Sequence, residues 1–434
     1  MMNRNYRSTP QVIAAANSLI AKNRTRVKKD LVPTRPSGES VLCHHAKNSR
    51  AEAEWIAGEI AKLREKGVDL KDIALLYRAH YVTRPIEEVF IEKKLPYAIY
   101  SGVQFFARAE IKDALSYLRM VAYRDDLSFR RVVNKPKRNI GVSRMKLIEE
   151  RSKERGVSLY SALIELAEED RFRGTKAKQF ISLIESYSSG NEGRPVSELL
   201  ASILDESGYE QALRTEGSQE RLDNLAELRQ AVYEYETTCG EEATLESYLS
   251  HIALFTNADT AESGGKVKLM TVHAAKGLEF PYVFLCGMNE GVFPSRKVST
   301  LPGMEEERRL AFVAMTRAKD RLFLSEAEGL NHDGSFRYPS RFILDIDECL
   351  IERTAPVKEG LIKDAREYAA SRERFLTEGD PASVLEVGSR VSHPVLGEGE
   401  IIEVDTERGA HIVKFNGLDT PRAISFRAKL ALIE

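Results

Sequence analysis

"VKLMTVHAAKGLEFPYVFLCGMNEGVFP", residues 267–294, holds two apolar runs separated by a polar turn. The first run ends at Thr271 to His273, small residues and Gly277 permit a tight turn, and the second run begins near Tyr282. Runs this short and this apolar read as buried strands. In α/β sheets, ligands gather at the carboxyl ends of strands. Thr271, His273, Lys276 and Glu279 are therefore expected together at such an edge, as a hydroxyl, an imidazole, an ammonium and a carboxylate available to one site.

The flanking sequence extends the pattern. Downstream lies "RLFLSEA" (321–327). Upstream the chain alternates "SVLCHHA" (40–46), the helical "RAEAEWIAGEIAKLREKG" closed by Gly67, "DIALLYRA" (72–79), the helical "TRPIEEVFIEKK" and "YAIY" (97–100). This alternation implies an α/β fold built on a parallel sheet covered by helices. Between residues 110 and 265 the periodicity is helical and charged, as in "RLDNLAELRQAVYEYE" and "LESYLSHIAL". The expected organisation is one α/β domain in two parts, 1–109 and 266–350, interrupted by a mostly helical insertion at 110–265. Residues 351–383 read as charged helix and linker, and residues 384–434, with short strands punctuated by glycine, as a small β-barrel.

Composition narrows the function. Of the 434 residues, 42% are hydrophobic and 30% charged, and no apolar run approaches the span of a bilayer, which takes roughly 18 residues. The start passes into a polar, capped helix without a signal-like apolar stretch, so a cytoplasmic protein with no membrane partner is expected. Cys43, Cys239, Cys286 and Cys349 are far apart and show no CxxC pairing, which favours reduced, packed thiols over a zinc or disulfide framework. The formal net charge is -2. A polyanionic partner would have to be met by local basic patches.

Two further stretches set polar groups beside helices. In "NRNYRSTPQVIAAANSLIAKN" (3–23), Ser8 and Gln11 have capping-box spacing, and Thr9 followed by Pro10 is the alternative start. Val12, Ile13, Ala16, Leu19 and Ile20 then form one apolar face, with Tyr6 and Arg7 held just outside the helix. In "MEEERRLAFVAMTRAKDRLFLS" (304–325), Leu310, Val313, Ala314 and Arg317 share a helical face, so an arginine ends an apolar stripe. A guanidinium there either snorkels to solvent or reaches a buried anion.

These three stretches together resemble the C-terminal half of a UvrD/PcrA/Rep-type superfamily 1 DNA helicase. "NYRST" (5–9) is similar to helicase motif IV, "TVHAAKGLEFPYVF" (271–284) to motif V, and "EEERRLAFVAMTRA" (305–318) to motif VI, with Phe312 where tyrosine is usual. The resemblance covers essentially the whole chain and implies a RecA-like 2A domain, a helical 2B insertion and a Tudor-like tail. It implies that Tyr6 stacks on the adenine of ATP, that Arg7 and Arg317 are catalytic arginines on the γ-phosphate, and that Glu279 accepts a hydrogen bond from the ribose. Thr271 and His273 would touch phosphates of single-stranded DNA. Arginines in this role accelerate phosphoryl transfer by about three to five powers of ten.

G-x-x-x-x-G-K-[ST] does not occur in the chain, and no acidic D-E-x-x box sits at the end of an expected strand. In the family these belong to the N-terminal half, 1A/1B. ATP with Mg²⁺ is therefore expected only in a complete two-domain enzyme, with nothing tightly bound to this chain and no metal site in it. The stretch "FRRVVNKPKRNIGVSRMK" (129–146) has no acidic residue, and its "KRNIGVS" turn resembles the 2B hairpin that grips duplex DNA. Asn139 stands where glycine is common, as the non-glycine residue type best suited to positive φ. Lys137, Arg138, Arg144 and Lys146 are expected to contact phosphates. "GSRVSHPVLGEGEIIEV" (388–404) resembles the tail that docks PcrA-type helicases on RNA polymerase. The implied function is the C-terminal portion of an ATP-dependent 3′ to 5′ DNA helicase of repair or replication, partnered by the 1A/1B half and by single-stranded and duplex DNA. The alternative is a non-catalytic module that binds DNA and RNA polymerase.

Overall fold

The computed structural model describes all residues except 1–3, 27–29, 189–193, 257–264, 331–334, 379–384, 394–395, 406–409, 419, 426–429 and 434. The chain divides into two compact units, Met1–Gly102 with Thr260–Glu434, and Val103–Asp259. In the first unit, strands β1 (Val41–Ala46), β2 (Ile73–Tyr77), β3 (Tyr97–Tyr100), β4 (Val267–Thr271), β5 (Phe280–Leu285), β6 (Ala318–Ala327) and β7 (Ile351–Arg353) form one parallel sheet. Their spatial order is β3-β4-β2-β5-β6-β1-β7. The α/β class read from the alternation is the class observed. The helical unit enters the chain between β3 and β4, which are hydrogen-bonded neighbours with Tyr97 opposite Val267.

Both faces of the sheet are buried, which is why its strands read as continuous apolar runs. Val41, Cys43, Ala74, Leu76, Met270, Leu285 and Leu324 pack on one side with Val12, Ala16 and Leu19 of the Pro10–Ile20 helix and Ala311 and Ala314 of the Leu301–Met315 helix. Leu42, Leu75, Tyr77, Leu269, Phe284 and Phe323 pack on the other with Ile56, Ile60, Val89 and Phe90 from the Ser49–Glu65 and Thr83–Glu92 helices. The successive residues Leu75 and Leu76 thus go to opposite cores, as the two-residue period of a strand requires. Two boundaries differ from those read in the sequence. The sheet continues to Ile351–Arg353, where "IER" is too short to show a period, with Val41 opposite Ile351. The helical unit begins at Val103 because Phe105 and Phe106 are buried there, Phe106 stacking on Phe255 at 5.8 Å.

The helical unit is organised on the Ala109–Ala122 helix, whose Ile111, Ala114, Tyr117, Leu118 and Met120 are fully buried. Near the C-terminus, Arg390–His393, Gly397–Asp405, Ala410–Phe415, Arg422–Ser425 and Ala431–Leu432 form a five-stranded antiparallel sheet around Val391, Ile401, Val413, Phe415 and Ile424. Among the described residues its pairing does not close into the ring of the expected barrel. A 20-residue helix, Glu359–Glu378, precedes it; the remainder of the expected linker lies outside the described residues. Among the described residues no helix is long and apolar enough to cross a membrane, and no His/Cys/Asp/Glu group could hold a metal ion.

Candidate functional site

Four charged side chains from distant parts of the sequence converge at the amino edge of the sheet. Glu279 directly precedes β5 and Arg317 directly precedes β6, with Phe280 opposite Ala318 and the Phe280 N–H donating to Arg317 O at 3.0 Å. The segment from Asn5 to Thr9 is fastened along this edge. Asn5 Oδ1 accepts the N–H groups of Arg7 and Ser8, both at 2.9 Å, Ser8 Oγ donates to Ala318 O at 2.6 Å, and the Thr9 N–H donates to Lys319 O at 3.0 Å. Arg7 is thereby brought to Glu279, its Nε donating to Oε2 at 2.6 Å and its Nη1 to Thr316 O at 3.2 Å. Lys319 Nζ lies 2.6 Å from the other Glu279 oxygen. Hydrogen bonds from Lys319 and Arg7 hold the Glu279 carboxyl down at about 2.

Arg317 stands on the other side of Thr316. Its Nη2 donates to Thr316 Oγ1 at 3.3 Å, its Nε to Val313 O at 2.9 Å and its Nη1 to Leu278 O at 3.1 Å. Burial and the positive charge of Arg7 lower its pKa. Arg35 braces the same backbone through Arg7 O and Lys319 O, but it carries its own counter-ion, Asp320, at 2.7 Å. Arg7 and Lys319 thus share one carboxylate, and Arg317 beside them is held by neutral acceptors and, among the described residues, takes part in no ion pair. This arrangement favours an added anion. Tyr6, 69% exposed, adjoins them in the chain.

Of the two helix starts read in the sequence the Thr9–Pro10 start is the one observed, and the capping box and the apolar stripe ending in Arg317 are not. Thr9 is the N-cap, without a side-chain cap bond, and Pro10 takes the first position. Ser8 gives its hydroxyl to Ala318, while Gln11 bonds Ser37 and Gly38, so tertiary bonds replace the capping box. The buried face of the Leu301–Met315 helix carries Met304, Ala311, Ala314 and Met315; Leu310 and Val313 are half-buried, and Arg317 lies beyond the helix end. The sequence reading missed Lys319 and Thr316. The signal for Lys319 was its place two residues after Arg317, a spacing that puts side chains on the same side of an extended segment.

Thr271 and His273 lie at the opposite, carboxyl edge. Because β4 and β5 run parallel in one sheet, residues 272–279 return from the end of β4 to the start of β5. The single cluster expected for Thr271, His273, Lys276 and Glu279 is therefore divided, with Glu279 at the amino edge. Thr271 Oγ1 accepts the Ala274 N–H at 3.2 Å, and Gly277 takes φ +90° within the connection. His273 is exposed; partial desolvation and the Arg78 guanidinium lower its pKa, so its ring is neutral near pH 7.

In the helical unit, Asn139 adopts φ +60°, and its Nδ2 donates to Gly174 O at 3.2 Å. Lys137 and Lys146 are exposed, and Arg144 is half-buried, donating to Asn139 O at 2.6 Å and Arg171 O at 2.9 Å. Arg138 departs from the expectation. Only 4% exposed, its guanidinium donates to Val132 O, Lys135 O and Tyr117 Oη at 2.7–2.9 Å and to Val133 O and Ser207 O at longer range, over the Phe180 ring. It is withdrawn from the phosphate contacts because its donors are consumed inside the unit.

Comparison with known proteins identifies the family. The model of the UvrD-like helicase C-terminal domain matches residues 1–329. The chain is 35% identical over 430 residues to the ATP-dependent DNA helicase PcrA of Staphylococcus aureus, covering 94% of this chain and 58% of that one. It is 37% identical over 422 residues to DNA helicase II of Escherichia coli, covering 93% and 57%. It therefore spans somewhat more than half the length of these relatives. A solved C-terminal domain of a possible DNA helicase from Lactobacillus aligns with 81% of this chain and 99% of its own at 10% identity, with a TM-score of 0.33, too low to bear on the fold. With the family model matching most of its length, the chain belongs to the UvrD-like helicases and carries their C-terminal domain.

Proposed function

We propose that this chain forms the arginine-bearing side of an ATP-dependent DNA helicase motor, completed by a 1A/1B half that carries the phosphate loop. The observation that carries this reading is the meeting of Arg7 and Lys319 on the single carboxylate of Glu279, with Arg317 held on neutral acceptors on the other side of Thr316. These residues fit the terminal phosphate of ATP: two guanidiniums flank Thr316 with too few local anions, and planar guanidinium forks suit phosphate oxygens. Glu279 uses two of its roughly four acceptor positions on Arg7 and Lys319, which leaves capacity for a ribose hydroxyl. Tyr6 offers an exposed ring for the base. Bound nucleotide with Mg²⁺ would supply the hydrolytic chemistry; this chain's residues would bind, orient and stabilise charge.

At the carboxyl edge, Thr271 and neutral His273 would donate hydrogen bonds to single-stranded DNA phosphates. Residues 272–279 join the two edges, so displacements of His273 by DNA and of Glu279 by nucleotide would act on one short segment. Lys137, Arg144 and Lys146 would contact duplex DNA, and the C-terminal antiparallel sheet would dock a protein partner such as RNA polymerase. The test is reconstitution with a separately expressed 1A/1B half of a UvrD-like helicase. The mixture is expected to show DNA-stimulated ATP hydrolysis and the pure chain none above background. Turnover by the pure chain, or an inactive mixture that nevertheless forms a complex, would sink the reading.

A further inference from the structure

A second basic loop packs against the Asn139 turn. Residues 171–178, "RFRGTKAK", contain Arg171, Arg173, Lys176 and Lys178 and no acidic residue. Three hydrogen bonds join this loop to the turn: the Lys176 N–H to Arg138 O at 3.0 Å, Asn139 Nδ2 to Gly174 O at 3.2 Å, and Arg144 Nε to Arg171 O at 2.9 Å. Arg171, Arg173 and Lys176 are exposed and, among the described residues, take part in no ion pair; the same holds for Lys137 and Lys146. Lys178 is paired with Glu168 at 2.7 Å, and Asp170 stands at the loop entrance, so neither end of the loop adds free positive charge. Like charges set side by side repel unless a polyanion screens them.

The rest of the surface narrows the partner. A concavity of about 960 Å³ has Lys137 and Lys176 on its wall, but Glu110, Asp113, Glu206 and Glu216 line it beside Lys135, Arg138 and Arg221, so its charge is mixed. The two loop stretches, which carry no acidic residue, are the more uniformly basic surface. The aromatic residues of the two basic stretches, Phe129 and Phe172, are buried, so no base-stacking platform accompanies the cations. Single-strand binders combine cations with exposed aromatics, whereas a duplex hides its bases and offers only backbone to such a surface.

We propose that Arg171, Arg173 and Lys176 join Lys137, Arg144 and Lys146 in one continuous surface for the phosphate backbone of duplex DNA, with buried Arg138 as the brace between the two loops. This rests on the duplex-binding reading of the turn. The test measures binding of the full chain to a blunt duplex across about 50 to 200 mM salt. For the Arg171→Gln/Arg173→Gln/Lys176→Gln variant, the slope of log K against log salt is expected to become shallower by up to about 2.7, at roughly 0.9 per contact. Lys137→Gln/Lys146→Gln should lose up to about 1.8, the combined variant roughly the sum, and Arg171→Lys/Arg173→Lys nothing. An unchanged slope in the loop variant beside a shallower one in the turn variant overturns the extended surface and leaves the turn standing. A shallower slope in the loop variant alone overturns the duplex reading of the turn and, with it, the joint surface. Loss of slope in the Lys-for-Arg variant would mean the arginines shape the loop instead of supplying charge.

Discussion

Arg7 and Arg317 at the amino edge of the sheet, and Lys137 and Lys146 on the turn of the helical unit, are cations of ordinary type held in opposite ways. At the edge each guanidinium is half-buried and fixed by several acceptors: Glu279 and Thr316 O for Arg7; Val313 O, Leu278 O and Thr316 Oγ1 for Arg317. On the turn the ammonium groups stand in solvent, and the rigidity lies beneath them in Arg138. Preorganised donors act on charge that develops at a fixed point, so their effect belongs in rate. Solvated cations displace counterions from a polyanion, so their effect belongs in salt-dependent affinity.

The largest effect that could break this comparison is catalytic. In the reconstituted enzyme, Arg7→Ala or Arg317→Ala is expected to lower kcat by about a hundredfold or more, as for a lost transition-state donor, with DNA affinity nearly intact. Steady-state ATPase assays and DNA titrations on the same preparations decide it; a matching loss of DNA affinity would mean that these arginines hold the fold. Next in size is Arg138→Ala. Removing it takes away charge-assisted hydrogen bonds to Val132 O, Lys135 O and Tyr117 Oη and the packing of its side chain over Phe180, a loss of about 3 kcal/mol in unfolding free energy by urea titration. Arg138→Lys should rescue little, because one ammonium cannot reproduce a planar fork with several acceptors. Arg144→Ala, at a half-buried site with two carbonyl partners, should cost about 1 kcal/mol. Equal losses at Arg138 and Arg144 would remove the distinction between brace and surface.

Strands such as Ile73–Tyr77 were legible because burial on both faces leaves a continuous apolar run, and the Ser49–Glu65 helix because Gly67, at φ +85°, stops it. The site was legible as residue types and only partly as geometry. Nothing in the spacing of Thr271 and Glu279 says that the turn between them crosses the sheet, which depends on β2 lying between β4 and β5. Arg138 and Lys137 are adjacent in one basic run, yet one is buried and one exposed; the difference comes from Tyr117 and Ser207, far away in the chain. Asn5, which shapes the Arg7 loop through two backbone N–H groups, was visible in the sequence but indistinguishable from any loop asparagine.

The smallest effect tests how far the edge cluster is a device for a ligand and how far it holds the fold. Glu279 has its carboxyl drawn from an ordinary 4.5 down to about 2 by Lys319 and Arg7. A depressed carboxyl contributes stability that is present above its unfolded value and lost as pH falls through its folded value, so the window lies between about pH 4.5 and 2. The Glu279 side chain is 42% exposed, so solvent screens both pairs and the whole contribution should stay within about 1 kcal/mol. Glu279→Gln should therefore melt close to wild type at pH 7. On acidification the two melting curves should converge, because only the wild type has this contribution to lose, and added salt should shrink the gap at neutral pH. Melting temperatures that run parallel from pH 7 to pH 2 would show that Arg7 and Lys319 find equivalent partners without Glu279. A gap of several kcal/mol at pH 7 would show instead that the cluster is a structural clasp, and the contrast between a ligand-ready edge and a braced turn would then be lost.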